Sequence, residues 1–339
     1  MVEYSETDKI KQIIDSAQTI VVVQADNPDA DSLCSALALE HILGDTGKTV
    51  HLYCGVDIPS YLDYLPGHDR VNKELPRQFD ASIIVDCSSI TLLEQLERTG
   101  QKHWLAAKPS IIIDHHATEP TITFAEVTCM QTAVSTTEVI YELARQADWP
   151  VSLEAKKLIA IGILADSLGL TSDSTTSRSI HIIAELVDGG VKVAEIENAR
   201  RASMQRAPEL IHYKGRLLER VEFHKDNRIA SVTIPWEEIE KYSPLYNPPM
   251  LVLDDMRLAI GTDVAIAFKI YTGDKITAKI RCNYGSGIAD KLAEHFGGGG
   301  HPYAAGFKIT DGRPYEEVKE DCFNEAERLL NEITADAAT

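Results

Sequence analysis

Carboxylates and histidines occur in four short clusters along the first half of the chain. The clusters are Asp29-x-Asp31, Asp86, Asp114-His115-His116 and Asp166. The first three follow β-branched apolar runs, and the fourth follows the apolar stretch 158–165. Because ligands of open parallel sheets bind outside the carboxyl ends of the strands, we expect the clusters to converge there.

Several carboxylates in one cleft raise one another's pKa unless cations balance their charge. Aspartates combined with an imidazole suit Mn²⁺, Fe or Co better than a calcium cage or a sulfur-rich zinc site. Two metals roughly 3.5–4 Å apart activate a bridging water and stabilise an in-line phosphoryl transfer. The clusters therefore predict a divalent-metal centre for phosphate chemistry.

Each cluster alone has a simpler interpretation. Asp29 or Asp31 could be the N-cap residue of a helix that begins near Ser32. Asp86 could be an ordinary turn residue. His115 and His116, which are adjacent in the sequence, could lie in a turn or on the surface. The joint pattern favours a site, because every cluster ends an apolar segment where an active site is expected.

The order and spacing of these clusters resemble the four motifs of the DHH phosphoesterase superfamily. Residues 27–36, Asn-Pro-Asp-Ala-Asp-Ser-Leu-Cys-Ser-Ala, are especially similar to its first motif. The resemblance implies that Asp29 binds one metal and Asp31 the other, and that Asp86 bridges both. It also implies that His115 and Asp166 complete the second metal site.

The same resemblance implies that His116 contacts the scissile phosphate or assists the leaving group, while Asp114 orients a neighbouring group. One position departs from the family pattern, because Ala25 stands where a metal-binding histidine is usual. Strand alternation directs Gln24 and Asp26 away from the face of residue 25. The outcomes left open are a weaker first metal, a water in that position or a degenerate site. We favour the weakened but working site.

A glycine-rich segment near the C-terminus is a second candidate site. It contains Gly298, Gly299, Gly300 and His301, and Arg281 ends a predicted strand upstream. Consecutive backbone N–H groups cradle anions, and a guanidinium fits phosphate. Taken singly, the glycines could be a flexible turn and the arginine a solvated charge. Together they resemble the associated C-terminal domain of DHH-family nanoRNases and RecJ-like exonucleases, which implies that they grip the substrate's terminal phosphate or nucleotide.

The elements that must position these residues alternate in type. Apolar β-branched runs predict strands at 19–24, 48–54, 81–85 and 110–113, and helical spacing predicts helices at 32–43, 133–146 and 153–165. This alternation predicts an α/β domain with a mostly parallel sheet flanked by helices. Strands at 228–234, 264–271 and 275–282 and a helix at 314–333 predict a smaller mixed α/β domain. We place the catalytic domain at 1–200, a linker at 201–212 and the substrate-binding domain at 213–339.

Composition limits the class of protein. A chain of 339 residues exceeds one typical domain, and its formal net charge of −19 argues against broad capture of duplex DNA. The six dispersed cysteines predict free thiols rather than a disulfide framework or a zinc knuckle. No apolar run is long enough to cross a bilayer, and the polar N-terminus is unlike a signal peptide, so we expect a cytoplasmic protein without a membrane partner.

The resemblance implies a phosphodiesterase that cleaves short single-stranded RNA or DNA oligonucleotides, or linear dinucleotides, to mononucleotides. It implies Mn²⁺ at two sites, with Mg²⁺, Co²⁺ or Fe²⁺ as substitutes, and a homodimer. The aromatic content of 6% predicts no extended stacking platform for long strands. The alternatives are a phosphatase for 3′,5′-bisphosphorylated nucleosides, a cyclic-dinucleotide hydrolase, and a nucleotide-binding protein with a degenerate metal site.

Overall fold

The chain divides into two compact units, residues 1–205 and residues 206–339. The computed structural model describes residues 3–117, 119–273 and 275–336. The predicted outer domain limits, residues 1 and 339, lie outside the described residues. The last helix of the first unit ends at Ser203 and the first helix of the second begins at Pro208, within the segment predicted as a linker.

The first unit is built on a parallel sheet. Its strands are β1 (Thr19–Val23), β2 (Thr49–Tyr53), β3 (Ala81–Val85), β4 (Ser110–Asp114) and β5 (Val127–Met130). They pair in the order β2-β1-β3-β4-β5, and every pairing is parallel. All five carboxyl ends therefore lie along one edge of the sheet, which is the edge where ligands bind in such folds.

Helices cover both faces of this sheet. They are α1 (Thr7–Ser16), α2 (Ala30–Gly44), α3 (Glu94–Arg98), α4 (Lys102–Ala106), α5 (Thr136–Gln146), α6 (Leu153–Asp166), α7 (Ser177–Asp188) and α8 (Val193–Ser203), with 3₁₀ turns at Ser60–Leu62, His68–Arg70 and Ile90–Leu93. The larger apolar core lies between one face and the α1, α2, α5, α6 and α7 helices, and a smaller core lies on the other face. Burial on both faces explains why the strands are nearly continuous β-branched runs.

The second unit is built on a mixed sheet. Its strands are β6 (Glu222–His224), β7 (Ile229–Ile234), β8 (Val264–Ile270), β9 (Ile276–Cys282), β10 (Gly299–His301) and β11 (Ala304–Ile309). They pair in the order β10-β11-β9-β8-β7-β6, with β7 and β8 parallel and the other pairs antiparallel.

Helices also cover the second sheet, but unevenly. They are α9 (Pro208–Glu219), α10 (Trp236–Tyr242), α11 (Leu253–Arg257), α12 (Ala289–His295) and α13 (Tyr315–Asp336), with a 3₁₀ turn at Pro248–Leu251. The α12 and α13 helices pack with one face, and α9, α10 and α11 pack with β7 and β8 on the other. The outward side chains of β9 and β11 therefore line a cavity in the described part of this unit.

The predicted fold class is confirmed: a parallel sheet flanked by helices, followed by a separate mixed α/β region. The β5, β6 and β10 strands were not predicted, and β6 has only three residues. The β5 strand has only four residues, and β10 contains two glycines, a residue type depleted in strands. Within the described residues, no helix is both long and apolar enough to cross a membrane.

Candidate active site

The N-terminus of α5 holds the carboxylate of Asp31. This carboxylate, in the first turn of α2, is only 1% exposed. The backbone N–H groups of Thr136 and Thr137 donate to its two oxygens at 2.6 and 3.1 Å, and the Thr137 hydroxyl donates at 2.7 Å. Free N–H groups and the helix dipole both favour a negative charge at this end of a helix. Asp31 is thus fixed by a second helix and is not the cap of its own.

Asp86 lies directly after β3 and belongs to the same cluster. Its φ of +56° is in the left-handed region, which costs free energy for a residue with a Cβ and is tolerated best by Asn and Asp. The Thr136 hydroxyl donates to Asp86 Oδ1 at 2.9 Å. The first turn of α5 therefore holds the carboxylates of both Asp31 and Asp86, which come from two different parts of the sheet edge.

His115 directs one ring nitrogen toward this cluster. Its Nδ1 is 3.2 Å from the carbonyl oxygen of Ala133, and its Nε2 is 3.6 Å from Asp86 Oδ1 and 3.3 Å from Asp166 Oδ2. When Nδ1–H donates to the carbonyl, the lone pair of Nε2 faces the carboxylates. A backbone carbonyl on the far nitrogen is the usual way in which a metal-binding histidine is oriented.

Asp114 holds the segment that carries both histidines. Its Oδ1 accepts from the backbone N–H groups of His115 and His116 at 2.7 and 3.1 Å, and lies 2.7 Å from His116 Nδ1. This hydrogen bond raises the pKa of the half-exposed His116. Burial alone raises the pKa of the Asp114 carboxyl, but the contacts with His116 outweigh it and lower that pKa. Asp114 is therefore an anion that orients His116.

The carboxylates of Asp31, Asp86 and Asp166 have too little positive charge around them to offset their burial and mutual repulsion. Burial, followed by repulsion from Asp31 and Asp29, raises the pKa of Asp86, and the same causes raise the pKa of Asp166 to about 7. Burial also raises the pKa of Asp31, although it accepts hydrogen bonds from α5. Buried carboxylates with raised pKa values gain stability from a nearby cation.

The donor atoms lie close enough to share such a cation. Two groups of three residues each have ligand atoms that lie within 4.8 Å of one another inside the group, and His115 belongs to both groups. The groups are Asp86-His115-His116 and Asp31-His115-Asp166. Carboxylate oxygens and imidazole nitrogens in this combination fit a divalent transition metal. The residues present therefore fit the metal centre that the sequence predicts.

Asp29 is the sequence-predicted metal ligand that lies outside both groups. Its carboxylate caps α2 by accepting from the Ser32 backbone N–H at 3.0 Å, in a reciprocal capping box. Ala25 is buried in the smaller apolar core and offers no donor. The neighbouring Gln24 is fully buried, and neither Nε2 nor Oε1 of its side chain has a hydrogen-bond partner among the described residues.

Sequence reasoning missed the residues that position the carboxylates. Thr136 and Thr137 were not singled out, although Ser135 and Glu138 have the spacing of a capping box at the start of α5. Ser135 does cap this helix by accepting from the Glu138 backbone N–H. Gly162 was also missed, because its importance depends on how α6 packs against Asp31, which the sequence alone does not reveal.

In the second unit, the structure brings Arg281 and the glycines to one cavity. It has a volume of about 710 Å³, and Arg281, Gly298, Gly299 and Gly300 line it together with Lys269 and Lys279. His301 is not among the described residues that line this cavity. Gly299 and Gly300 belong to a hairpin, since Gly299–His301 pairs with β11, and Gly298 directly precedes it.

Close backbone packing gives two of these glycines a structural role. A Cβ on Gly298 would be 2.3 Å from the carbonyl oxygen of Gly306, and one on Gly300 would be 2.5 Å from Ala305 Cα. The glycine segment can therefore pack this closely against β11 only with glycine at these two positions.

The parallel-sheet unit is similar to a known protein family. Residues 19–163 match the family model described as "DHH family, N-terminal domain". This range contains four of the five proposed metal ligands and ends just before Asp166. The chain contains a DHH-family N-terminal domain. The match does not reach residues 206–339, so the resemblance of the second unit to the associated C-terminal domain stays a prediction.

Relatives cover almost the whole chain. The bifunctional oligoribonuclease and PAP phosphatase NrnA of Bacillus subtilis is 23% identical over 320 residues, 93% of each chain. A protein of the same name from Thermus thermophilus is 25% identical, over 87% of this chain and 86% of that one. A crystal structure of an exopolyphosphatase-related protein from Bacteroides fragilis has a TM-score of 0.81 and 22% identity, covering 97% of this chain and 98% of that one. This last likeness shows the fold alone.

Proposed function

We propose that this DHH phosphoesterase hydrolyses short single-stranded oligonucleotides, or linear dinucleotides, to mononucleotides. The observation that carries the proposal is the pair of donor groups that share His115 at the carboxyl edge of the parallel sheet. The names of the full-length relatives from Bacillus subtilis and Thermus thermophilus, which include oligoribonuclease, support this choice of substrate.

We propose that Asp31, Asp86, His115 and Asp166 hold divalent metal, with Asp29 contributing at the first site. Oxygen and imidazole donors favour Mn²⁺, with Fe²⁺, Co²⁺ and Mg²⁺ as substitutes. A divalent cation supplies Lewis acidity at a phosphoryl group and makes water acidic enough to react near neutral pH. Because Ala25 brings no imidazole, we expect the first site to bind metal more weakly than the second.

His116 is proposed to act on the phosphate or on the leaving group. Its Nδ1 is 2.7 Å from Asp114 Oδ1, which leaves Nε2 as the nitrogen that can reach a substrate. The raised pKa favours the imidazolium form, which donates a hydrogen bond to a phosphate oxygen or a proton to a departing alkoxide. Asp114 keeps the ring in the orientation and tautomer that this role needs.

In the second unit, Arg281, Gly298, Gly299, Gly300 and His301 are proposed to bind the terminal phosphate or nucleotide. The guanidinium of Arg281 and the three glycines on one cavity wall support this assignment. The homodimer implied by the family resemblance belongs to the same proposal.

A second candidate function is phosphatase activity on 3′,5′-bisphosphorylated nucleosides. It is favoured because the names of the same relatives include PAP phosphatase. Both reactions break a P–O ester bond at one metal centre. The phosphorus belongs to a diester in the dinucleotide and to a monoester in the bisphosphorylated nucleoside.

The deciding experiment measures mononucleotide release from a 5′-phosphorylated RNA dinucleotide, with and without Mn²⁺. Asp86→Ala is expected to lose metal-dependent turnover while remaining folded. The matched control is Asp15→Ala, an exposed residue near the end of α1 whose carboxylate pairs with Lys11 at 3.1 Å. This control is expected to keep full activity.

Undiminished turnover in Asp86→Ala would contradict the site assignment. Release of phosphate from a 3′,5′-bisphosphorylated nucleoside without cleavage of the dinucleotide would select the second candidate function. If folded, metal-saturated protein does neither, two interpretations remain: an enzyme for another phosphorylated substrate, such as a cyclic dinucleotide, and a binding protein with a degenerate centre. Ala25→His then locates the defect, because restored turnover would place it at the first metal.

A further inference from the structure

Two buried glutamates lie one turn apart on the α5 helix of the first unit. Glu138, in the first turn, is fully buried, and Glu142 is 4% exposed. Residues four apart on a helix lie on the same face. Neither carboxylate oxygen of Glu138 accepts a hydrogen bond within the described residues. Because a buried charge is costly unless it is paired, the position of this side chain depends on a nearby cation.

Glu138 does not play the part that its place in the sequence predicts. In a capping box, the side chain of the fourth residue reaches back to the backbone N–H of the first. Ser135 makes its half of this arrangement by accepting from the Glu138 backbone N–H at 3.1 Å. The Glu138 carboxylate does not return the bond, since neither of its oxygens has a hydrogen-bond partner among the described residues. Its charge is paired with another helix instead.

Arg178, near the start of α7, supplies the cation. Its Nε is 3.2 Å from Glu142 Oε1 and 3.5 Å from Glu138 Oε1. The guanidinium also donates to the hydroxyl of Tyr4, a buried residue whose pKa is raised by burial to about 12. In the part of the chain that the structure describes, no other basic side chain forms an ion pair with either glutamate. One guanidinium therefore fixes this face of α5.

The glutamate that Arg178 holds directly follows the residues that hold the site carboxylates. Thr136 and Thr137 precede Glu138 in the first turn of α5, and their backbone N–H groups donate to Asp31. The Thr136 hydroxyl donates to the carboxylate that follows β3. Because shared hydrogen bonds fix the backbone of a helix turn, the turn moves as a unit. A shift of Glu138 therefore moves the donors of both carboxylates.

The charge of Glu138 also reaches Asp31. Burial raises the pKa of the Glu138 carboxyl, the positive charge of Arg178 lowers it in part, and repulsion from Glu142 and Asp31 raises it further. Without Arg178, the anions around the start of α5 would repel one another with no balancing charge. Arg178 thus removes a repulsion that would otherwise displace this helix turn.

We propose that Arg178, acting through Glu138, is a positioning residue for the metal centre. It holds the first turn of α5 where the N–H and hydroxyl groups of that turn meet Asp31 and Asp86. The inference rests on the proposed function, since it assumes that these carboxylates bind divalent metal. Residues that orient metal ligands contribute about 10- to 100-fold to metal affinity or activity.

The test is Mn²⁺ binding to the chelator-treated full-length chain, measured by calorimetry. Arg178→Gln is expected to raise the Kd at least about 10-fold, because the ligands lose their support. Glu138→Gln, which keeps the shape of the side chain and removes its charge, should also raise the Kd. An effect of charge alone has the opposite sign in Arg178→Gln, because removal of a cation strengthens the attraction of the remaining carboxylates for Mn²⁺.

Arg145→Gln is the matched control. Arg145 lies in the last turn of α5 and pairs with Glu185 of α7 at 2.7 Å, so it joins the same two helices. It follows Glu138 by seven residues, about 10 Å along the helix axis. Its replacement should leave the Kd for Mn²⁺ unchanged.

Urea denaturation of each variant separates positioning from stability. An Arg178→Gln chain that is less stable but binds Mn²⁺ as tightly as the wild type, or more tightly, would overturn the proposal. If this variant does not fold, Glu138→Gln decides, because it keeps Arg178 in contact with Glu142. An unchanged Kd in folded Glu138→Gln would then overturn the positioning role.

Binding and turnover together distinguish this inference from the proposed function. If the wild-type chain binds Mn²⁺ but cleaves no dinucleotide, and both variants bind Mn²⁺ more weakly, the positioning role is supported and only the hydrolysis is contradicted. If the wild type binds Mn²⁺ and cleaves the dinucleotide, and the variants match it, only the positioning role is overturned. A wild-type chain that binds no Mn²⁺ would overturn the metal centre and the positioning role together.

Discussion

Replacing Gly162 with alanine tests how tightly the carboxylate of Asp31 is held. Gly162 lies within α6, and a Cβ at this position would be 2.4 Å from Thr137 Oγ1 and 2.7 Å from Asp31 Oδ1. Both distances are far shorter than ordinary van der Waals contact. The new methyl group must therefore displace the Thr137 side chain, the Asp31 carboxylate or the helix itself.

The effect on stability is expected to be modest. Overpacking of this kind costs about 1–3 kcal/mol of unfolding free energy. Alanine recovers about 1 kcal/mol relative to glycine within a helix. We therefore expect Gly162→Ala to lose between about 0 and 2 kcal/mol, measured by urea denaturation, and to remain folded at room temperature.

The effect on catalysis is expected to be much larger. The Thr137 hydroxyl and Asp31 Oδ1 are 2.7 Å apart, and the methyl group intrudes on both. Since a misplacement of about 1 Å costs on the order of 100-fold in rate, kcat/KM for the 5′-phosphorylated dinucleotide should fall by about that factor. The Kd for Mn²⁺, measured by calorimetry on chelator-treated protein, should rise as well.

Gly215→Ala is the control for a glycine within a helix. It lies in α9, and a Cβ there meets nothing within 4 Å. This variant should gain about 1 kcal/mol and keep full activity. If Gly162→Ala retains kcat/KM within about threefold of wild type, close packing at residue 162 does not position Asp31, and the role assigned to Gly162 is refuted.

Two other variants probe the second unit. Arg281→Ala should raise KM for the dinucleotide with little change in kcat, and unchanged values of both would remove Arg281 from the binding site. Glu238 accepts hydrogen bonds from Arg220 at 2.8 and 2.6 Å and from Tyr213 at 2.8 Å. Burial raises the pKa of this carboxyl, but these partners outweigh it and hold the pKa below the ordinary 4.5. The stabilisation is therefore present above the unfolded pKa and lost as pH falls through the lower folded one, so Glu238→Gln should be destabilising at about pH 7 and neutral at about pH 2 in chemical denaturation. A constant difference across this range would contradict the assigned pair.

Strands that are buried on both faces could be predicted because they are continuous β-branched runs. The β1, β3 and β4 strands are of this kind, and their predicted limits differ from the observed ones by at most one residue. The β5 strand escaped prediction because its side chains alternate between buried and partly buried over only four residues. The β10 strand escaped because its glycines are required by close contact with β11, a tertiary effect that local propensity does not report.

The residues of the candidate site could be identified from the sequence, and the topology of the parallel sheet explains why they lie close together. Asp31, Asp86, His115 and Asp166 could be singled out because each follows an apolar segment, and the structure brings them together. The role of Thr136 could not be predicted in this way. Its N–H and hydroxyl groups reach Asp31 and Asp86 only because of the way α5 packs at the sheet edge. The spacing of residues in the sequence does not reveal how a helix packs.

The contacts of Thr136 also bear on when the proposed metal centre can form during folding. Its backbone N–H reaches Asp31 across 105 residues of chain, and its hydroxyl reaches Asp86 across 50. Contacts between such distant residues form late, because the loops between them must close first. A nascent chain that has not yet produced α5 holds its acidic residues apart and hydrated. If the proposed centre binds metal, we therefore expect high-affinity capture only after the first unit has folded, and loss of metal as an early sign that this unit has begun to unfold.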